Sequence, residues 1–338
     1  MASLWVTVAL LLGSAVVIYL SCEYFVNGVE WVGHKLAVGE KATGTVLAAF
    51  GTALPESVVT LVAVAFGGTA AAKDLGVGAA LGGPLALATI AYATVGIMLL
   101  LSRRRLADTP AMRADLRGLS RDQGWFLAIF VVKIALGLVL FTLKPWLGIL
   151  FLAAYALYVR QEMRADGDDD DAEGALEPLR FQPNAETPGT GIAIVQTLAA
   201  LAVIFFASRL FVAQLEQLGP VLGLKPQLLA LLLSPIATEL PETMNAIIWV
   251  RQGKHRLALA NISGAMMIQA TIPTALGLFF TPWLLDRSLL LAAGVTALSI
   301  AVLFVAFRGG WISRALLASM GLLYLLFAGL LIALHLGR

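Results

Sequence analysis

Apolar runs long enough to cross a bilayer follow one another along almost the whole chain, separated by short polar segments. A run of about 20 such residues is the signature of a membrane-spanning helix. Ten candidate spans lie at roughly 3–30, 42–66, 75–101, 124–142, 145–160, 189–217, 227–250, 256–280, 288–307 and 312–336. Composition agrees. Charged types make up 13% and hydrophobic types 59% of the 338 residues, against about 25% and 45–50% in soluble domains. The expected class is an all-α polytopic membrane protein. Cytosolic enzymes, secreted disulfide scaffolds and disordered chains are excluded, and a net charge of +2 leaves no basic excess for nucleic acid. The single cysteine, Cys22, can form no intrachain disulfide and no thiolate metal site. Leu4 to Leu20 is too long, and too free of preceding basic residues, for a cleaved signal, so it is expected to be the first span.

Lys and Arg set the orientation, because cytoplasmic loops are enriched in them. With ten spans and the N-terminus outside, 16 of the 23 basic residues fall in inner loops and five on the outer side. The remaining two, Lys133 and Arg209, fall within spans, and both are read as snorkelling or lipid-interface residues. Glu23 and Glu30 are read as interfacial. The segment 161–188 carries Asp168 to Asp171 and three prolines, and is expected to be a solvated acidic linker.

Gly51-Thr52-Ala53-Leu54-Pro55-Glu56-Ser57 recurs as Ala237-Thr238-Glu239-Leu240-Pro241-Glu242-Thr243, 186 residues later. A small-residue helix follows each copy, with Gly82 matching Gly264 at an offset of 182. Five spans per half would insert the second copy upside down, an inverted-topology repeat of the kind built into many secondary transporters. The expected organisation is a first repeat at 1–160, with its motif region at 42–101, the linker at 161–188, and a second repeat at 189–338, with its motif region at 227–280. N- and C-termini are both expected outside.

The motif carries chemistry at mid-span. Pro55 and Pro241 remove backbone donors and leave carbonyls free near Ala49–Thr52 and Pro235–Thr238, with Pro235 a second break. A charge at a helix centre costs roughly 2.5–3.5 kcal/mol, so Glu56, Glu239 and Glu242 would together cost on the order of 8–10 kcal/mol if ionised and unpaired. A bound cation or a proton must offset that. Carboxylates, threonine hydroxyls and bare carbonyls are hard ligands that suit Ca2+, Na+ or Mg2+. Candidate ligands are Glu56, Glu242, Glu239, Thr52, Thr238, Gln269 and Asn261. Thr52 and Thr238 could instead bond back to their own helices, and Asn261 and Gln269 could instead join helices by hydrogen bonds. Glu239 lies three residues before Glu242, so the two acids should titrate as a coupled set and share a proton.

These residues resemble the two alpha repeats of the sodium/calcium exchanger family, in the cation/Ca2+ exchanger superfamily, over essentially the whole chain. The resemblance implies alternating access at a site made by spans two, three, seven and eight, with spans one and six as a sliding gate. It carries over Glu56 and Glu242 as ion-binding acids and Thr52 and Thr238 as broken-helix ligands. The chain departs from the family pattern at Ala53 and Glu239, and span three, Gly82-Gly83-Pro84-Leu85-Ala86-Leu87, has no polar side chain where the family pattern expects sodium ligands. On span eight the family's acid or Asn is Gln269. The expected function is a secondary cation antiporter exchanging Ca2+ for Na+ or H+. The alternative is the same fold carrying Mg2+, Mn2+ or a monovalent cation against H+. An enzyme is not expected, because no nucleophile–base pair or metal triad is present in the spans. No cofactor is expected. The expected partners are inorganic cations and the lipid bilayer of the cell membrane, and a monomer suffices.

Overall fold

Each of the ten apolar stretches is mainly helical where it is described, although the fourth leaves the helix after Gly137 and the seventh is interrupted at Glu239. Backbone in hydrocarbon must satisfy its own N–H and C=O groups, and a helix does so within one segment. The computed structural model describes residues 2–38, 42–66, 70–102, 110–165, 176–221, 232 and 234–336. The side chain of Glu56 lies outside the described set, although its backbone lies within it. The α-helices are α1 (Ala2–Lys35), α2 (Ala49–Leu61), α3 (Ala70–Ala86), α4 (Tyr92–Leu101), α5 (Pro110–Gly137), α6 (Gly148–Ala165), α7 (Thr190–Val221), α8 (Ser234–Thr238), α9 (Leu240–Gln252), α10 (His255–Phe280), α11 (Arg287–Gly309) and α12 (Arg314–Leu336). π-Helical turns at Thr43–Ala48 and Val62–Phe66 flank α2, and another at Leu87–Ala91 joins α3 to α4.

Six described helical stretches are long and apolar enough to cross a membrane: Leu4–Lys35, Gly76–Leu101, Thr190–Phe211, His255–Phe280, Arg287–Gly309 and Arg314–Leu334. The others fall short for local reasons. α5 carries Arg121, Asp122 and Lys133, α6 carries Arg160, Glu162 and Arg164, and the seventh stretch is interrupted at Glu239.

α10 runs through the centre and is buried over nearly its whole length. Around it stand the π-α-π helix of span two, then α3, α5, α6 and α9. The crossing with span two is backbone-close: a Cβ on Gly264 would lie 2.1 Å from the Thr45 carbonyl oxygen. Small residues at such crossings let membrane helices approach and gain dispersion energy. α1 and α7 pair along their lengths and rest against α8 and α9. Their outer faces show Trp5, Leu12, Val16, Val195 and Phe206, a surface suited to lipid.

Two expectations are corrected by packing, and Glu30 proves to be paired. It is 7% exposed and accepts hydrogen bonds from the Trp249 indole (2.7 Å) and the Lys254 ammonium. The linker is not solvated throughout. Leu179 is fully buried beside Trp31 and Ala193, and the Glu177 carbonyl accepts from the Trp31 indole at 2.9 Å. Asn27 of α1 bonds the Glu177 and Pro178 carbonyls, so this strap is sewn to the paired helices α1 and α7. Asp168 to Asp171 lie outside the described residues. Lys133 does not snorkel; it is fully buried, with its ammonium on the Ala80 carbonyl of α3. Arg209, by contrast, is exposed over the Phe205 ring, as a lipid-face residue should be.

Candidate cation site

The second copy of the motif is a broken helix. α8 ends at Thr238 and α9 begins at Leu240. Between them Glu239 adopts φ −88° and ψ 10° as the N-cap of α9. Pro241 has no N–H for the Ala237 carbonyl. The break therefore places Glu242 in the first turn of α9, where unpaired N–H groups and the helix dipole favour negative charge. Glu239 is 2% and Glu242 1% exposed. Cys22 of α1 reaches the same break, its thiol 3.8 Å from the Pro241 carbonyl.

α10 meets this acidic turn with an amide. Gln269 Nε2 donates to Glu239 Oε1 at 2.5 Å. Gly83 of α3 makes room for the pair: a Cβ there would lie 2.1 Å from Gln269 Oε1 and 2.7 Å from Glu239 Oε1. The glycine that looked like a lost ligand is space for two polar side chains from the other half. Pro273 lies inside α10 and offers no N–H to the Gln269 carbonyl, so another oxygen is freed beside the pair.

Two further amides are fully buried. Among the described residues, neither the oxygen nor the nitrogen of Asn245 or Asn261 has a hydrogen-bond partner. Leaving such a group unsatisfied costs about 1–3 kcal/mol, and native structures normally satisfy it with protein, water or an ion. Among the described residues, Asn261 thus joins no helices by side-chain hydrogen bonds. Its eight-residue separation from Gln269 amounts to about 12 Å along the axis, so one ion cannot touch both. Asn245 was missed in the sequence. The signal was its position one turn after Glu242, on the same side of α9. A buried network also went unread: the Gln123 amide donates to Tyr92 Oη (2.7 Å) and Ser263 Oγ (2.9 Å), tying α5 and α4 to α10.

The first copy is different. α2 continues through Pro55, and Thr52 is buried with its hydroxyl on the Ala48 carbonyl at 3.2 Å. Thr238 likewise donates to the Pro235 carbonyl at 3.2 Å. Both threonines thus bond back to their own helices. α2 packs against α10, α9 and α3, so the Glu56 backbone belongs to the same bundle as the acidic turn.

An all-helical membrane protein with buried acids and orphaned amides at a broken helix is built as a transporter, with its polar groups enclosed between helices. The sequence profile of the family described as "Sodium/calcium exchanger protein" matches residues 6–160 and 192–333. The chain belongs to that family and is a multi-pass membrane cation antiporter, not an enzyme. It is 26% identical to "Putative antiporter CaxA" of Alkalimonas amylolytica, over 95% of this chain and 98% of that protein. It is 27% identical to "Inner membrane protein YrbG" of Escherichia coli K12, over 83% and 81%. The fold matches the sodium-calcium exchanger NCX_Mj soaked with zero Na+ and Ca2+, with TM-score 0.74 and 17% identity over 96% of this chain and 98% of that one. The same exchanger soaked with 2.5 mM Na+ and 10 mM Sr2+ matches with TM-score 0.73, 16% identity and coverage of 96% and 98%.

Proposed function

We propose that the antiporter exchanges Ca2+ for Na+ or H+ by alternating access at the acidic break between the two halves. Ten spans form two inverted five-helix repeats, at 1–160 and 189–338, with both termini outside and the 161–188 linker inside. The observation that carries this reading is the enclosure of Glu239 and Glu242 at a helix break beside unsatisfied amides. Burying two acids among apolar helices is costly unless a cation or a proton offsets them. Glu56 and Glu242 would neutralise one divalent ion. Freed carbonyls, Gln269 and the hydroxyls of Thr52 and Thr238 would add the oxygen ligands that Ca2+ requires, and Asn261, about two turns away on α10, would serve a second ion. α1 and α7 pair at the edge of the bundle and would slide as the gate.

Glu239, one turn from Glu242, favours a proton as the counter-ion, carried by the acid pair. The fold neighbour NCX_Mj, soaked with Na+ and Sr2+, lends weight to Na+ instead. A second reading, Mg2+, Mn2+ or a monovalent cation against H+, is favoured by the absence of polar side chains from Gly82 to Leu87 on span three. Radiolabelled Ca2+ uptake into proteoliposomes under separate Na+ and pH gradients decides. Uptake driven by a pH gradient alone supports the proton. Uptake driven only by Na+ removes it, and no Ca2+ uptake under either removes the Ca2+ reading.

A further inference from the structure

Lys133 of α5 is fully enclosed by the fold, and the antiporter reading leaves it without a role. Its ammonium donates to the Ala80 carbonyl at 2.9 Å and lies 5.1 Å from the Phe130 ring centroid and 5.8 Å from that of Trp283. No carboxylate among the described residues pairs with it. The box is closed by the indole of Trp283, which donates to the Lys133 carbonyl at 3.0 Å.

The Ala80 carbonyl is free for a reason legible in the chain. Its intrahelical donor would be the N–H of residue 84, and residue 84 is proline, inside α3. A bare carbonyl in mid-span is an oxygen ligand for a cation. Helix carbonyls point toward the C-terminus, so this oxygen lies within one turn of Gly83. The next residue back from Pro84, Gly83, is the one against which Glu239 and Gln269 pack. Residues 80 and 83 lie three apart on adjoining faces of α3, so the lysine places a positive charge within one helix diameter of the acid pair, on the order of 10 Å.

A neutral donor would have been enough merely to cap a carbonyl. The fold uses one nearby: the Ser299 hydroxyl of α11 donates to the Ala88 carbonyl at 2.6 Å. A buried ammonium is the costlier solution, because its charge must be desolvated. Its placement, with one carbonyl and two aromatic faces as its surroundings, matches how a desolvated monovalent cation is held.

We propose that the Lys133 ammonium permanently holds the cation position that Pro84 opens on α3, so that no transported Na+ binds there. The inference rests on the antiporter reading of the adjacent site. It accounts for a span three that needs no polar side chain of its own: the positive charge comes from α5 and travels with the protein. It also predicts that the fixed charge weakens divalent binding at the acid pair. At about 10 Å and an effective dielectric constant of about 20, that effect is tenfold or more.

The test is equilibrium binding of radiolabelled Na+ and Ca2+ to the purified full-length protein, for wild type, K133A, K133Q and K133R. Alanine removes the charge and leaves the Ala80 carbonyl bare, whereas glutamine removes the charge and keeps an N–H for that carbonyl. K133A is expected to bind one more Na+ than wild type. K133Q is expected to keep the wild-type Na+ count, and both are expected to bind Ca2+ at least about tenfold more tightly. K133R is expected to behave as wild type. K133A with wild-type Na+ binding overturns the proposal. Should K133A not fold, wild-type Ca2+ affinity in K133Q overturns it equally. Absence of Ca2+ binding in wild type would count against the Ca2+ reading alone, since the Na+ comparison still decides the role of the lysine.

Discussion

The two copies of the repeated motif share Thr-x-Leu-Pro-Glu and fold differently. Around Thr52 the helix continues from Ala49 to Leu61, with π-helical turns at either end. Around Thr238 it stops and restarts one residue later. The cause lies in two aligned positions. Pro235 stands where the first copy has Ala49, and Glu239 where it has Ala53. Alanine is the best helix former and Ala53 packs fully buried. Glutamate at the same place is bent into an N-cap and held by Gln269. A symmetric repeat has thus become an asymmetric site. The second half supplies an extra acid and the break, and the first half supplies Gly83 as room and Lys133 as charge.

The strongest blow to that comparison is removal of the acid common to both copies. Glu242→Gln is expected to cut cation flux at least about 100-fold, since it removes a charge ligand that hydrogen bonding alone cannot replace. Elution volume and Tm should stay near wild type. Glu56→Gln is expected to match it. Wild-type flux in both variants would dismiss the site, and loss in Glu242→Gln alone would make the site one-sided.

Next in size is Gly83→Ala. Its new methyl would overlap Gln269 and Glu239, so flux should fall at least about tenfold and thermal unfolding should report about 1–3 kcal/mol of overpacking. Unaltered flux would mean that the Glu239–Gln269 pair is not part of the pathway. Asn245→Ala sharpens the account differently. Its amide makes no hydrogen bond among the described residues, so the variant should keep its Tm while cation affinity weakens about tenfold. A lowered Tm with unchanged affinity would make Asn245 structural. The smallest effect is expected from Glu239→Ser, which makes the second copy more like the first. Flux should persist within a few-fold, but its pH profile should shift, because the coupled acid pair is gone. An identical profile would show that Glu239 carries no transported proton.

Much of this was legible in the chain. The helices followed from the demand that hydrocarbon places on backbone groups, and the broken second copy followed from Pro235 and Pro241. Glu239, Glu242 and Gln269 were singled out, and the structure brings Glu239 and Gln269 into contact. What stayed hidden depended on partners far along the chain. Lys133 reads as a snorkelling residue until the Pro84 carbonyl gap, met only through tertiary packing, gives it a place inside. Gly83 reads as a missing ligand until Gln269 and Glu239 arrive against it. Leu179 sits in a stretch whose acids and prolines suggest solvent, and its docking on Trp31 depends on how α1 and α7 pair. Asn245 was accessible to a simple turn-by-turn reading from Glu242, but a single amide on a helix carries no signal without its burial.

The central claim is that the transported cation sits at the acidic break where the two halves meet. A structure determined with Ca2+ bound tests it most directly. The account predicts one ion bounded by Glu242 and Glu56, with six or more oxygens at about 2.3–2.6 Å. Ca2+ found only at the acidic linker, with none between the two glutamates, would contradict it.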